Sequence, residues 1–189
     1  MELLKQKILL EGTVLNEKVL KVDSFLNHQL DPVLTMQIGA EFARRFEDCT
    51  VDKILTIESS GIAVALATAV KLNVPLVFAR KKRSLLMSEE AYTTEVYSYT
   101  KQETNHITVL KKFLPAGEKV LIIDDFLASG AAASGLAVLA RQAGCEITGI
   151  GIVIEKSFQG GAAKLRQAGY RVESLVRIGS LKDGKVTFL

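Results

Sequence analysis

Cysteine is scarce in this chain of 189 residues. There are two, Cys49 and Cys145, and neither belongs to a CxxC pair or has a histidine nearby. That argues against a zinc ribbon, a redox dithiol or a disulfide scaffold, and predicts reduced thiols in a reducing compartment. Long apolar runs are missing too. No stretch approaches the roughly 20 residues that span a bilayer, so no membrane partner is expected. The first twelve residues, MELLKQKILLEG, scatter charge where a secretory signal keeps an apolar centre. A cytoplasmic location is expected. Net charge is small as well: 24 Lys and Arg stand against 21 Asp and Glu, leaving +3. Such a balance implies no nucleic-acid partner. Repeats and low-complexity tracts are absent.

What remains is a soluble globular composition, 48% hydrophobic and 24% charged. The length suits one domain, 1–189. Leu3, Leu4 and Ile8 form a helical stripe that Gly12 can cap. Residues 13–32 are mixed and predict irregular chain or short strand. Pro32 suits the first turn of a helix, and Leu34, Ile38, Phe42 and Phe46 recur every four residues along its buried face. From Lys53 onward the pattern alternates. Apolar runs KILTIE, VPLVFARK, EKVLIIDD, CEITGIGIVIEK and RVESLVRIGSL predict strands. SGIAVALATAVKL, AAASGLAVLARQAG and GGAAKLRQAGY predict helices. GKVTFL predicts a last strand after an Asp183-Gly184 turn. Near-continuous apolar strands separated by helices indicate an α/β fold with a central, mainly parallel sheet flanked by helices. The polar segment 82–113 interrupts this alternation with Tyr92, Tyr97 and Tyr99, and predicts a long flexible flap with some strand content.

In parallel sheets, ligands sit beyond the carboxyl ends of the strands. Four stretches converge there: Glu58 to Gly61, Arg80 to Arg83, Asp124 to Ala132, and Glu155 to Phe158. The third reads DDFLASGAA. Two adjacent carboxylates end an apolar strand, and small residues then open a helix. Backbone N–H groups of Ala128, Ser129, Gly130, Ala131 and Ala132 can bind an anion at the helix start. Asp124 and Asp125 suit hydroxyls or a hydrated Mg²⁺ instead. Phosphate and vicinal hydroxyls together describe a ribose 5-phosphate. The plainer reading makes the two acids a helix cap. The same choice applies to Ser59 and Ser60, as helix caps or as part of an anion loop with Gly61.

Four apolar residues, two acids and a small-residue loop resemble the signature of the type I phosphoribosyltransferases. The resemblance implies that family's fold over the whole chain. A small hood would come from about 1–30 plus 156–189, and the flap from about 82–113. It implies that Asp124 and Asp125 face the ribose hydroxyls of phosphoribosyl pyrophosphate, and that residues 128–132 hold its 5-phosphate. Such loops commonly read Thr-Gly-Gly-Thr; here Ser129-Gly130-Ala131-Ala132 lacks the threonine hydroxyls. The resemblance implies a pyrophosphate loop at Ser59, Ser60 and Gly61, often with a non-proline cis peptide, and cationic help from Arg80 and Lys81. The purine would meet Leu20, Asn27 and Lys156, with Phe158 stacked on it or packed in the core. The implied reaction moves the phosphoribosyl group to xanthine in purine salvage. Mg²⁺ would arrive with the cosubstrate, and no protein metal ligand is expected. A homodimer is implied, with its interface near the flap or the Arg44-Arg45 helix. Two alternatives stay open: a non-catalytic purine-sensing regulator on the same fold, and an enzyme for guanine, hypoxanthine or adenine.

Overall fold

The fold is seen in a computed structural model that describes residues 1–81, 90–98 and 103–189. Helix α1 (Glu2–Glu11) buries Leu4 and Ile8, while Leu3 is 41% exposed, so the stripe is one residue narrower than the sequence predicts. Gly12 follows in an extended conformation, its N–H bonded to the Ile8 carbonyl. The short-strand alternative holds for residues 13–21, as a hairpin of β1 (Thr13–Asn16) and β2 (Val19–Lys21), and one π-turn, Asp23–Asn27, leads out of it. Helix α2 (Pro32–Arg45) opens on Asp31, whose Oδ1 accepts the Leu34 N–H at 3.0 Å. Proline stands in its first turn, where no N–H is missed. Leu34, Ile38, Phe42 and Phe46 are all buried, as their spacing predicts. Gly39 lets α2 lie directly on the helix that carries Ala67, because a Cβ there would strike the Ala67 carbonyl.

The central sheet joins β3 (Lys53–Ile57), β4 (Leu76–Ala79), β7 (Lys119–Leu127), β8 (Glu146–Lys156), β9 (Val172–Ser180) and β10 (Thr187–Phe188), once β5 (Ala91–Ser98) and β6 (Glu103–Leu110) are set apart as a hairpin. Its order is β10-β9-β8-β7-β3-β4, and every pair is parallel except β9 with β10. Helices α1, α2 and α3 (Gly61–Leu72) cover one face; α4 (Ala131–Gln142) and α5 (Gly161–Gln167) cover the other. Two apolar layers result, one on each side of the sheet, which is why its inner strands read as unbroken aliphatic runs.

Two details differ from the sequence reading, while the strand content expected within 82–113 is present. Strand β7 does not end at its acids. It runs on to Leu127 because Phe126 and Leu127 still pair with Ile154 and Glu155. The stretch 156–189, expected to share in the hood, supplies β9 to the central sheet, and its Lys182–Gly184 turn lies against β1. The segment 82–113 contains the β5–β6 hairpin. Residues 82–89 and 99–102, with Lys82, Arg83 and Tyr99, lie outside the described residues. The hairpin is tied to the end of β4 by paired backbone bonds between Arg80 and Thr108, at 2.9 and 3.0 Å. It packs along α4, where Gly135 leaves room for Val96 and Ile107.

Candidate active site

Strands β3 and β7 are neighbours, with Ile54 opposite Leu121, so their carboxyl ends open side by side. After β3 the chain turns through Glu58, Ser59 and Ser60 into α3, with the Glu58–Ser59 peptide cis. After β7 it turns through Ala128, Ser129 and Gly130 into α4. Gly130 has φ +88, a conformation that glycine adopts without a Cβ clash. Both turns face a cavity of about 270 Å³. Its walls are Glu58, Ser60, Lys81 and the run from Asp124 to Ala133. The inner edge of the hairpin, Val96, Tyr97, Asn105 and Ile107, lines it as well.

Neither helix start is capped by a side chain. Side-chain capping therefore fails for Ser59, Ser60, Asp124 and Asp125 alike, although the Ile62 N–H of α3 is met by the Ser59 carbonyl at 3.2 Å. The phosphate-type loop is held from behind. Gly161 donates its N–H to the Ala128 carbonyl at 3.1 Å, and its bare Cα lies against Gly130 and Ser129.

Asp124 is 4% exposed and Asp125 is 7% exposed. The Asp125 N–H donates to Asp124 Oδ1 at 3.0 Å. Burial pushes the Asp124 carboxyl well above its usual range, and the adjacent Asp125 charge pushes it the same way. An oxygen poised to accept a proton or share one suits a sugar hydroxyl. Close by, the Thr56 hydroxyl is fully buried without a partner among the described residues.

On the cationic side, Lys81 lines the cavity and Arg80 does not. Arg80 turns to Glu58, with Nε 3.8 Å from its carboxylate, and the Lys81 N–H donates to the same carboxylate at 2.6 Å. Ser60 is on the wall; Ser59 and Gly61 flank it. The four expected purine contacts are placed differently from one another. Lys156 donates to the Lys18 carbonyl in the β1–β2 turn at 2.9 Å and stands 5.1 Å over the Phe126 ring. Burial lowers its pKa, opposed by the Asp125 charge. Leu20 is buried in the core under the hairpin, Asn27 is exposed in the π-turn, and Phe158 is 40% exposed. None of these four lines the cavity itself. Asn105 was missed by the sequence reading, and Glu58 and Phe126 fell inside its converging stretches without a role of their own. Phe126 alone carried a signal, as the aromatic that follows the acidic pair. Among the described residues, no group of three or more His, Cys, Asp or Glu could hold a metal ion.

Two backbone turns that offer N–H groups to anions, with paired acids between them, suit a phosphorylated sugar. Residues 31–172 match the phosphoribosyl transferase domain, and the chain belongs to that family. Its fold is the type I phosphoribosyltransferase fold, with a mostly parallel sheet between helical layers. Over all 189 residues the chain is 58% identical to the xanthine phosphoribosyltransferase of Bacillus cytotoxicus, 96% of which is covered. Identity is 54% to the xanthine phosphoribosyltransferase of an Exiguobacterium, again over all 189 residues and covering 98% of that protein. The structure also superposes on the APRTase of Giardia lamblia with a TM-score of 0.77, covering 92% of this chain and 97% of that one. Sequence identity there is 23%, and the likeness is one of fold.

Proposed function

We propose that the protein transfers the 5-phosphoribosyl group of phosphoribosyl pyrophosphate to xanthine, giving xanthosine 5′-monophosphate and pyrophosphate. The observation that carries this reading is the shared cavity, in which the Glu58–Ser60 turn, the Asp124–Asp125 pair and the Ala128–Ala132 loop meet. The choice of base is supported by whole-length relatives that are xanthine phosphoribosyltransferases.

In this reaction the bond from C1 of the ribose to the pyrophosphate oxygen breaks and a bond to a purine ring nitrogen forms. The ring proton is lost to solvent, and charge builds on the sugar in an oxocarbenium-like transition state, as in glycoside chemistry. The chain attacks nothing covalently. N–H groups of 128–132 hold the 5-phosphate, Asp124 and Asp125 fix the ribose hydroxyls, and Ser60 with Lys81 receives the leaving pyrophosphate. Arg80 supports that side through Glu58. Lys156 is a donor only, so it favours an oxygen on the purine ring over the amine of adenine. Asn27 and Phe158 complete the purine side, and Leu20 holds the hood hairpin in the core.

Mg²⁺ fits this donor set in one way. Two buried carboxylates are hard oxygen ligands, and no third acid or histidine joins them among the described residues. The ion would enter on the pyrophosphate and meet Asp124 or Asp125 directly or through water, neutralising charge on the leaving group. A homodimer in the cytoplasm is our reading of the active species. It is supported by the apolar face of Leu66, Val70 and Phe78 on α3 and the edge strand β4. Arg44 and Arg45, the other interface candidates, are engaged by Glu41. The regulator reading is disfavoured because the whole-length relatives are xanthine phosphoribosyltransferases.

Incubation with phosphoribosyl pyrophosphate and each of xanthine, guanine, hypoxanthine and adenine tests the proposal. Xanthine should give nucleotide fastest. Comparable rates with adenine, or no turnover with any base, would overturn it.

A further inference from the structure

We propose that Glu155 is a positioning residue that sets purine selectivity through Lys156; this rests on the reading of Lys156 as a base contact. Glu155 is the penultimate residue of β8 and is 1% exposed. Its carboxylate accepts Ser157 Oγ at 2.5 Å and Ser174 Oγ at 2.6 Å. Arg177 Nε and Arg166 Nη2 stand 3.4 and 3.5 Å away. A carboxylate this deep is destabilising unless its lone pairs are met by donors, and here two hydroxyls and two guanidinium groups meet them. Burial pushes its pKa up, yet these partners together hold it below the usual glutamate value.

The bond from Ser157 to Glu155 spans Lys156. The residues on either side of the lysine are thus fastened to each other and, through Ser174 and Arg177, to β9. Lys156 itself has φ −89 and ψ 82, between strand and helix. A lysine with four rotatable side-chain bonds needs a fixed backbone if its ammonium is to meet one purine oxygen and not another. The lysine also holds the hood, through its bond to the Lys18 carbonyl, which Gln159 Nε2 shares at 3.5 Å. The clamp therefore orients the ammonium and the hood hairpin together. None of the side-chain bonds described for Glu155 reaches the acidic pair or the 128–132 loop, so cosubstrate binding should change far less than base binding.

Steady-state kinetics on Glu155→Gln, Ser157→Ala and Ser157→Thr test this. In the first two, the KM for xanthine should rise about tenfold, as displaced binding groups do, with the KM for phosphoribosyl pyrophosphate within about twofold. Their preference for xanthine over hypoxanthine should fall by a similar factor. Ser157→Thr keeps the hydroxyl and should restore both values. Ser157 is partly exposed, so its variants keep the test alive if Glu155→Gln does not fold. An unchanged xanthine KM in Ser157→Ala, or equal rises in both KM values, would overturn the role of Glu155. An unmodified protein that makes no xanthosine monophosphate would overturn the base assignment with it.

Discussion

A Cβ placed on Gly61 would stand 2.7 Å from Oδ1 of Asp124 and 2.5 Å from the Thr56 hydroxyl. The first residue of α3 and the first acid of β7 are thus in direct contact, across two turns that the sequence keeps more than sixty positions apart. Gly61→Ala should displace the Asp124 carboxylate rather than merely crowd it, since Thr56 is fully buried and held in the β3–β4 ladder. Overpacking of this kind destabilises by about 1–3 kcal/mol. Nucleotide formation should fall well beyond what the loss of stability explains, and thermal melts beside initial rates will separate the two.

Asp125→Asn removes one charge from the acidic pair proposed to hold the ribose hydroxyls and leaves its size unchanged. A drop in kcat of about a hundredfold is expected, the range seen when a preorganised polar group is lost from a reacting centre. Full activity in that variant would sink the assigned role.

The acidic pair and the Glu41 cluster should respond to pH in opposite directions. The Asp124 carboxyl is raised above its unfolded value of 3.8, chiefly by burial. Its contribution to stability is fully present below that pH and is lost as pH rises through the folded value. Asp124→Asn should therefore melt higher than the parent at neutral pH, and the gap should close in acid. Glu41 is lowered from 4.5 to about 2, first by its hydrogen bond from Arg44 and then by that from Arg45. Stability from this group is present above pH 4.5 and is lost as pH falls toward 2. Glu41→Gln should melt lower at neutral pH by the equivalent of about 1 kcal/mol or less, as for a largely surface pair, and match the parent near pH 2. Denaturation curves from pH 2 to 7 on both variants check the two signs.

Ala132 stands near the start of α4, on the cavity wall, where related loops carry a threonine. Ala132→Thr restores a hydroxyl donor beside the N–H groups. The KM for phosphoribosyl pyrophosphate should fall a few-fold, as expected for one added hydrogen bond to a charged group, with the xanthine KM unchanged. A rise in the first value would mean that the loop is already filled by Asn105 and Val96 across the cavity.

How much of this was legible beforehand differs by element. The four-residue rhythm of Leu34, Ile38, Phe42 and Phe46 announced α2, and aliphatic runs announced β3, β7 and β8, because burial on both sheet faces leaves no polar alternation to confuse the reading. The acidic pair and the 128–132 loop were found because strand, acids and small residues are contiguous. The hairpin was only half seen. Its outer residues, such as Thr104 and His106, are exposed, and its inner row is broken by Asn105, so its composition looked like loop. Asn105 lines the cavity because its hairpin packs on α4, and Glu58 through a bond from the Lys81 backbone, and neither contact leaves a trace in local sequence. Phe126 was hidden for another reason: the strand continues past the acids, which brings that ring under Lys156.

Just before β3, Asp52 is joined to Lys119, the first residue of β7, by two bonds of 2.8 Å across 67 positions of chain. The pairing has a temporal meaning during synthesis. The first turn leaves the ribosome with its neighbour unmade, and at about 5–20 residues per second the second follows on the order of ten seconds later. Until then β3 has an open edge, and the half-built pocket cannot capture its sugar phosphate. A nascent chain arrested before Ala132 should be blind to phosphoribosyl pyrophosphate, whatever its first hundred residues have already folded.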